Sequence, residues 1–581
     1  MTSDILKHNF ELRHEFAKLR EENVQLRQEN IELKRENKEL KAEVKRVSNA
    51  LSYANNRIKQ LENKLETYRK EEEKRIEEIV NKTVSAVVEK LNKEHQEEVD
   101  KLNAKIKRLE ARLNTDSTNS GTPTSKETIG KHTNQNNREK SNKPKGAQPN
   151  HKQHKLEYFK EEEITNKIEH KLDKCPNCNG ELTEKNTVIS DILDIKITVT
   201  KTRNLIHNYK CNCCHKNITA NDVLPRGVTY GDTVNSIALS MMNESNTALN
   251  KVTSFLNGVS KGEINLSEGY LIKLQKRSEK KLETFMKDLN NQIITLPRLF
   301  WDDTVCEFGI EKSEEGYDDK DLEYLEKNAD NDKKTRKGII RFYGDDNWAL
   351  LIGHRNKDDK SMDADGILDE LPETCVVMHD HLLINYNSKY KFQNAECNEH
   401  TKRYLKKNMD MFPEHEWAKE MRDLLINTNK RKKELLGNDI LSFTADELME
   451  ISNTYDKIIE KGFVENNKVS LTYVKDKNDE LNLIERLKNF KENHLLFAYD
   501  FSVAFTNNTS ERGLRQVKRK LVVSFMFKNA NRMKDYATIL SYLETCYRNG
   551  ITRYEAAERL VQNNPYTVSE IKKKIEENKR K

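Results

Sequence analysis

No apolar run in this 581-residue sequence approaches the roughly 18–20 residues needed to cross a membrane. The first residues, MTSDILKHNFELRHEF, also lack the apolar core of a signal peptide. The expectation is a soluble, intracellular protein with no membrane partner. Hydrophobic residues are scarce, at 35% against 34% charged residues, and the mean hydropathy is −0.92. That excludes one large globule and requires part of the chain to be extended or disordered, within a length that suits about three or four domains. An excess of either sign of charge is lacking too, since 102 Lys and Arg against 96 Asp and Glu leave a formal net charge of only +6, which names no partner by itself. Cysteine is sparse, and five of the nine lie between residues 175 and 214. Such clustering fits metal ligands in a reducing compartment better than a disulfide framework.

What is present begins with a heptad over residues 12–68, with Leu12, Leu19, Leu26, Leu33 and Leu40 at d and Asn23, Asn30 and Asn37 at a. Asparagine at a costs stability but favours in-register parallel dimers. The flanks agree, with Glu15, Glu22, Glu29, Glu36 and Glu43 at g and Arg13, Arg20, Arg27, Lys34 and Lys41 at e. Only a parallel pairing makes every g-to-e contact attractive, so a parallel homodimer through residues 12–68 is expected. No basic cluster precedes Leu12, so this zipper pairs subunits and reads no DNA itself. A second apolar-periodic stretch, Ile76 to Leu113, extends the coiled-coil region over residues 1–113.

Residues 114–155 are rich in Asn, Ser, Thr and Lys and read as a disordered basic linker, either a tether or a nonspecific DNA contact. In the module that follows, over 156–222, Cys175 and Cys178 form one C-x2-C turn and Cys211 and Cys214 another, 32 residues apart. Four thiolates in two such turns are the pattern of a closed structural Zn2+ site, with Cys213 and His215 as possible exchange ligands. The segment TVISDILDIKITVTKTRNLIHNYK between them reads as a zinc-ribbon hairpin. Residues 223–293 read as helical, either a helix-turn-helix around Gly258–Gly262 or a plain helical hairpin.

Four carboxylates, at three places in the chain, stand apart from the general charge. Asp302 and Asp303 follow the apolar run TLPRLFW, and Asp380 ends the run TCVVMH, so each lies where a buried strand reaches the protein edge. Glu511, in TNNTSERGLRQVKRK, heads a stretch carrying Arg512, Arg515, Lys518, Arg519 and Lys520. Converging carboxylates repel unless cations neutralise them, which is the two-metal arrangement for displacement at phosphorus, and the cations suit a nucleic-acid backbone. The bland alternatives are turn residues for the aspartates and a capping box from Asn508 to Glu511. A helix starting at Asn508 would also place Glu511, Arg515 and Lys518 on one face.

The order of FWDDT, MHDHLLINY, AECNEHTKRYL, TNNTSERGLR and FKNANRMKDYATILSYLETCYRNG, behind the zipper, linker and cysteine module, resembles transposases of the insertion sequence 66 family over roughly residues 114–565. That resemblance implies a DDE transposase with a ribonuclease H-like core, in which Asp302, Asp380 and Glu511 hold two catalytic Mg2+ or Mn2+ ions. Asp303 replaces a glutamate of the family's Asp-Glu-Thr, and His381 replaces a small residue. The implied partners are transposon-end and target DNA and helper proteins encoded by the same element, in a cytoplasmic, nucleoid-associated setting. The expected fold is a multidomain α+β chain with a parallel coiled coil, a zinc ribbon, a helical DNA-binding region and a ribonuclease H-like α/β core over 294–545. The core carries a helical insertion at about 404–496 and a helical tail at 546–581. Cys397 and His400 match a recurring pair, read here as packing. The rival readings are a structure-selective nuclease on the same fold and a non-catalytic DNA-binding regulator.

Overall fold

The computed structural model describes residues 43–64, 79–113, 157–220, 227–310, 335–467 and 474–580, with isolated positions elsewhere. The linker 114–155, most of the heptad before residue 43 and most of the acidic stretch 313–332 lie outside the described residues. The chain divides into two compact units, one of Thr128–His400, Thr428–Met449 and Phe490–Lys581, the other of Met1–Glu127, Thr401–Asn427 and Glu450–Asn489. Among the described residues no helix is long and apolar enough to cross a membrane.

The first unit carries a two-stranded hairpin, β1 (Asn208–Lys210) and β2 (Asn217–Thr219), and a five-stranded mixed sheet. The sheet strands are β3 (Arg298–Gly309), β4 (Thr335–Gly344), β5 (Ala349–His354), β6 (Val376–His379) and β7 (Gln393–Glu396), in the order β5-β4-β3-β6-β7. β3, β4 and β5 pair antiparallel, while β6 and β7 run parallel to β3. β4 is buried on both faces because a core covers each side of the sheet, so its sequence GIIRFYG reads as a continuous run with no polar alternation.

The helices, in chain order, are α1 (Ile79–Leu113), α2 (Asp232–Asn243), α3 (Leu249–Val259), α4 (Glu268–Lys280), α5 (Glu283–Ile293) and the short α6 (Asp359–Asp363). Then come α7 (Asn398–Met411), α8 (Trp417–Leu436), α9 (Ala445–Asn467), α10 (Val474–Asn489) and α11 (Lys491–Tyr499). α12 (Asn508–Ser524), α13 (Ala530–Arg548), α14 (Arg553–Val561) and α15 (Val568–Arg580) follow, and a further helical stretch over 43–64 precedes α1. On one sheet face Leu299, Trp301, Tyr343 and Leu350 pack with α2 to α5 and with the C-terminal helices α13 to α15. On the other, Cys306, Phe308, Ile340, Phe342 and Leu351 pack against Leu514 and Val517 of α12 and Met533 and Tyr536 of α13. The helical segment before the sheet and the last two helices therefore share one core with it.

The zinc-ribbon hairpin expected between the cysteine turns does not form as read. Residues 183–207 carry no regular element, and the only pairing there is the short β1–β2 hairpin around the second turn. The reason is burial: Val188, Ile192, Leu193 and Ile195 are each at least 78% exposed, and alternating apolar residues specify a strand only when one face has a core to meet.

In the second unit, helix 43–64 keeps Val47, Leu51, Ala54, Ile58 and Leu61, five of its six a and d positions, half-buried between exposed neighbours, while Val44 at a is exposed. Glu43, assigned to a dimer contact at g, is ion-paired at 3.3 Å with Lys105 of α1 in the same chain. Elsewhere in this unit the fully buried Glu480 carboxylate accepts from His415 Nδ1 at 2.8 Å, Trp417 Nε1 at 2.7 Å and Asn466 Nδ2 at 2.9 Å. A buried carboxylate with three donors fixes α9 and α10 against the start of α8.

Candidate active site

Register builds the site. β3 runs parallel to β6 with Phe300 opposite Met378, and carrying that register two residues on sets Asp302 beside Asp380. On the next strand His379 lies opposite Glu396, so the following residues, Asp380 and Cys397, are also neighbours. Asp302 pairs across β3–β4 with Phe342 and so shares the face covered by α12, whereas Asp303 pairs with Arg341 on the opposite face. There Lys357 Nζ meets the Asp303 carboxylate at 2.7 Å. Strand alternation thus separates two adjacent acids, and Asp302 is the one that faces the rest of the site.

α12 brings the third acid. The helix starts at Asn508, as the one-face reading required; its N-cap is Asn507, and the alternative capping box from Asn508 to Glu511 is absent. The buried Asn507 side chain instead donates from Nδ2 to the Trp301 carbonyl at 2.8 Å, and its backbone N–H meets Cys397 Sγ at 3.2 Å. One asparagine therefore ties the start of α12 to the strand residue next to Asp302 and to the end of β7. Gly513 permits the close approach that follows, because a Cβ there would meet the Phe342 ring at 2.4 Å. Glu511 lies in the first turns of this helix, and its charge is felt at Cys397.

Burial first, then the charges of Asp380 and Asp303, push Asp302 up to about 7 against the opposing pull of Lys518 and His400. A carboxylate held this way is a site short of positive charge. Asp380 is fixed by Asn385, whose Nδ2 donates to its backbone oxygen and to Oδ1 at 3.2 Å each. Just beyond it the buried Glu396 contacts His381 Nδ1 and accepts from the Tyr386 hydroxyl at 2.5 Å. His400 and Asn385 are additions that sequence reading missed as site residues. His400 reads as packing, yet its charge acts on Asp302 and its Nδ1 is buried without a hydrogen-bond partner. Cys397 is a packing residue, 1% exposed, with its thiol pushed up to about 12 by burial.

The basic residues divide. Arg515, Lys518 and Arg519 are exposed along α12, Arg512 is ion-paired to Asp346 at 3.0 Å, and Lys520 is half-buried with its Nζ 5.9 Å from the centre of the Tyr536 ring. Hard oxygen donors with surplus negative charge at Asp302 and Asp380 fit divalent magnesium or manganese. In the cysteine module, backbone N–H groups of Asn177 and Cys178 lower the Cys175 thiol below its ordinary value, and those of Cys214 and Cys213 do the same for Cys211. Each turn thus favours the ionised form of its first thiol through backbone N–H groups. Among the described residues, though, no three His, Cys, Asp or Glu side chains converge to enclose an ion, neither at the two thiol turns nor at Asp302, Asp380 and Glu511.

The family model described as transposase IS66 family matches residues 243–534. The chain belongs to that family. The span takes in Asp302, Asp380, Glu511 and the cations of α12, and leaves out the cysteine turns. A second model, a family of unknown function (DUF6444), matches residues 66–157. No curated protein and no solved structure matches the chain. Membership in the IS66 transposases implies an enzyme acting on DNA, and DDE transposases in general use divalent metals.

Proposed function

We propose that this transposase hydrolyses a phosphodiester at its transposon ends and joins the freed 3′ end to target DNA at a site made by Asp302, Asp380 and Glu511. The observation that carries this is the placement of Asp302, inside β3, beside Asp380, just past the end of β6, on the face covered by the helix bearing Glu511 and three exposed cations. The sheet order, antiparallel on one side of β3 and parallel on the other, supports a ribonuclease H-like reading. Two Mg2+ or Mn2+ ions held among the three carboxylates would supply an activated water or hydroxyl and neutralise charge at phosphorus.

The chain's own contribution is position and charge. Asn385 holds the Asp380 carboxylate, Asn507 holds the start of α12, and Arg515, Lys518 and Arg519 bind backbone phosphates. Water adds to phosphorus as the 3′ oxygen leaves with a proton. That 3′-hydroxyl then attacks a target phosphodiester, with no covalent protein–DNA intermediate. A structural Zn2+ joining Cys175 and Cys178 to Cys211 and Cys214 requires the two turns to come together. A parallel dimer through residues 12–68 would bring two transposon ends into one complex.

The test is strand transfer by the full chain with Mg2+, a labelled transposon-end duplex and a plasmid target, run beside Glu511→Gln. Joined product should fall by at least about 1,000-fold in the variant, the size of several kcal/mol of lost transition-state stabilisation. Cleavage without joining would replace this reading with a nuclease, and binding with no chemistry in the wild type would overturn it.

A further inference from the structure

One face of α12 changes character along its length. Glu511, Arg515, Lys518 and Val522 recur at steps of four, three and four residues, so they lie along a single stripe. The stripe begins with a carboxylate, continues with two exposed cations and ends in an apolar side chain that is 72% exposed. Phe525, three residues on, extends it and is 81% exposed.

Phe525 is held in place. Its backbone has φ 60° and ψ −40°, and the Met526 N–H donates to the Ser524 carbonyl at 2.7 Å, which makes Phe525 the centre of a γ-turn with positive φ. A bulky aromatic in that region is strained, and such strain persists only where the surroundings impose it. They do so here from both sides. The Phe525 N–H still closes the last helical turn onto Leu521 at 2.8 Å. Two residues later the buried Phe527 is bonded to the end of β3, its N–H to Glu307 O at 2.8 Å and its carbonyl to Gly309 N at 3.1 Å. A ring fixed in water by strained backbone is unexplained by packing.

We infer that Phe525, with Val522, is a wedge that inserts against the bases of the DNA bound along α12, unstacking one step about six base pairs from the cleavage site. The inference rests on the DNA reading above. Charge complementarity selects the occupant, because Arg515, Lys518 and Arg519 bring a phosphate backbone to the same stripe. Apolar side chains at such positions in DNA-bending proteins unstack base steps. From Glu511 to Phe525 is about 21 Å along the helix axis at 1.5 Å per residue, or about six base steps at 3.4 Å each.

The test measures binding of the full chain to two short duplexes, one fully paired and one with two unpaired thymines, over a range of salt. Wild type should prefer the unpaired duplex by about tenfold, since there the unstacking is already done. Phe525→Gly should bring the ratio close to one without lowering thermal stability, because glycine accepts this φ freely. Phe525→Trp should keep the preference. Salt-dependent binding with equal affinity for both duplexes in the wild type would overturn the wedge and leave the DNA reading standing, whereas absence of binding would overturn both. Unchanged preference in Phe525→Gly, or loss only of self-association, would assign the tip to another contact and sink the proposal.

Discussion

Asp302→Asn is expected to make the metal-free protein more stable at pH 8 while removing its strand-transfer activity. Burial and Asp380 raise Asp302 from an ordinary aspartate value to about 7 in the folded chain. Below about pH 4 both folded and unfolded chains hold the proton and nothing is lost. Between about pH 4 and 7 the unfolded chain releases it first, so the folded state loses ground, and above about 7 the loss is constant. At about 1.4 kcal/mol per unit of difference, partly relieved by local rearrangement, the wild type should carry a penalty on the order of 2 kcal/mol at pH 8. The asparagine variant escapes it. Its melting temperature should exceed that of the wild type at pH 8, match it near pH 4, and fall behind once Mg2+ is added, because only the wild type gains from binding. A variant less stable at pH 8 without metal would mean that the aspartate is not under this strain.

Asp365→Ala should produce the largest loss of stability. The Asp365 carboxylate is fully buried, accepts from Arg341 Nη1 at 2.6 Å and from the Tyr343 hydroxyl at 2.9 Å, and contacts His354 Nε2. Its removal strands the Arg341 guanidinium, 1% exposed, in the centre of the sheet. Breaking a buried pair from one side costs about 3–5 kcal/mol, mostly from the uncompensated charge left behind. The denaturant midpoint should drop accordingly, and an Arg341→Met, Asp365→Leu double variant should recover much of it. Equal losses in the single and double variants would show that shape at this site matters more than charge.

The candidate acids were legible because apolar runs lead into them: TLPRLFW and TCVVMH announce two buried strands, and Asp380 stands one residue past the end of β6, whereas Asp302, expected at a strand edge, lies inside β3, which runs on to Gly309. Which of Asp302 and Asp303 faces the site was not legible, since it depends on the β3–β4 register, a long-range property. His400 was unreadable for the same reason, as no local pattern relates position 400 to position 302. The helix start at Asn508 was legible, but the alternative capping box there does not form, because the preceding Asn507 is the N-cap and its side chain serves the Trp301 carbonyl, a partner about 200 residues away. The zinc-ribbon hairpin failed differently: TVISDILDIKITVT has the composition of a strand, but no core lies against it. The helical character of 223–293 followed from its periodicity, while its sharing of a core with α13 to α15 is a tertiary fact.

The most direct measurement replaces Mg2+ with Fe2+ in the folded chain and maps where peroxide-driven radicals cut the polypeptide. Asp302, Asp380 and Glu511 around one metal-binding site predict three cuts, near residues 302, 380 and 511, all suppressed by excess Mg2+ and lost together in Glu511→Gln. Cuts confined to the cysteine turns between 175 and 214, or none at the three acids, would contradict the assignment of the site.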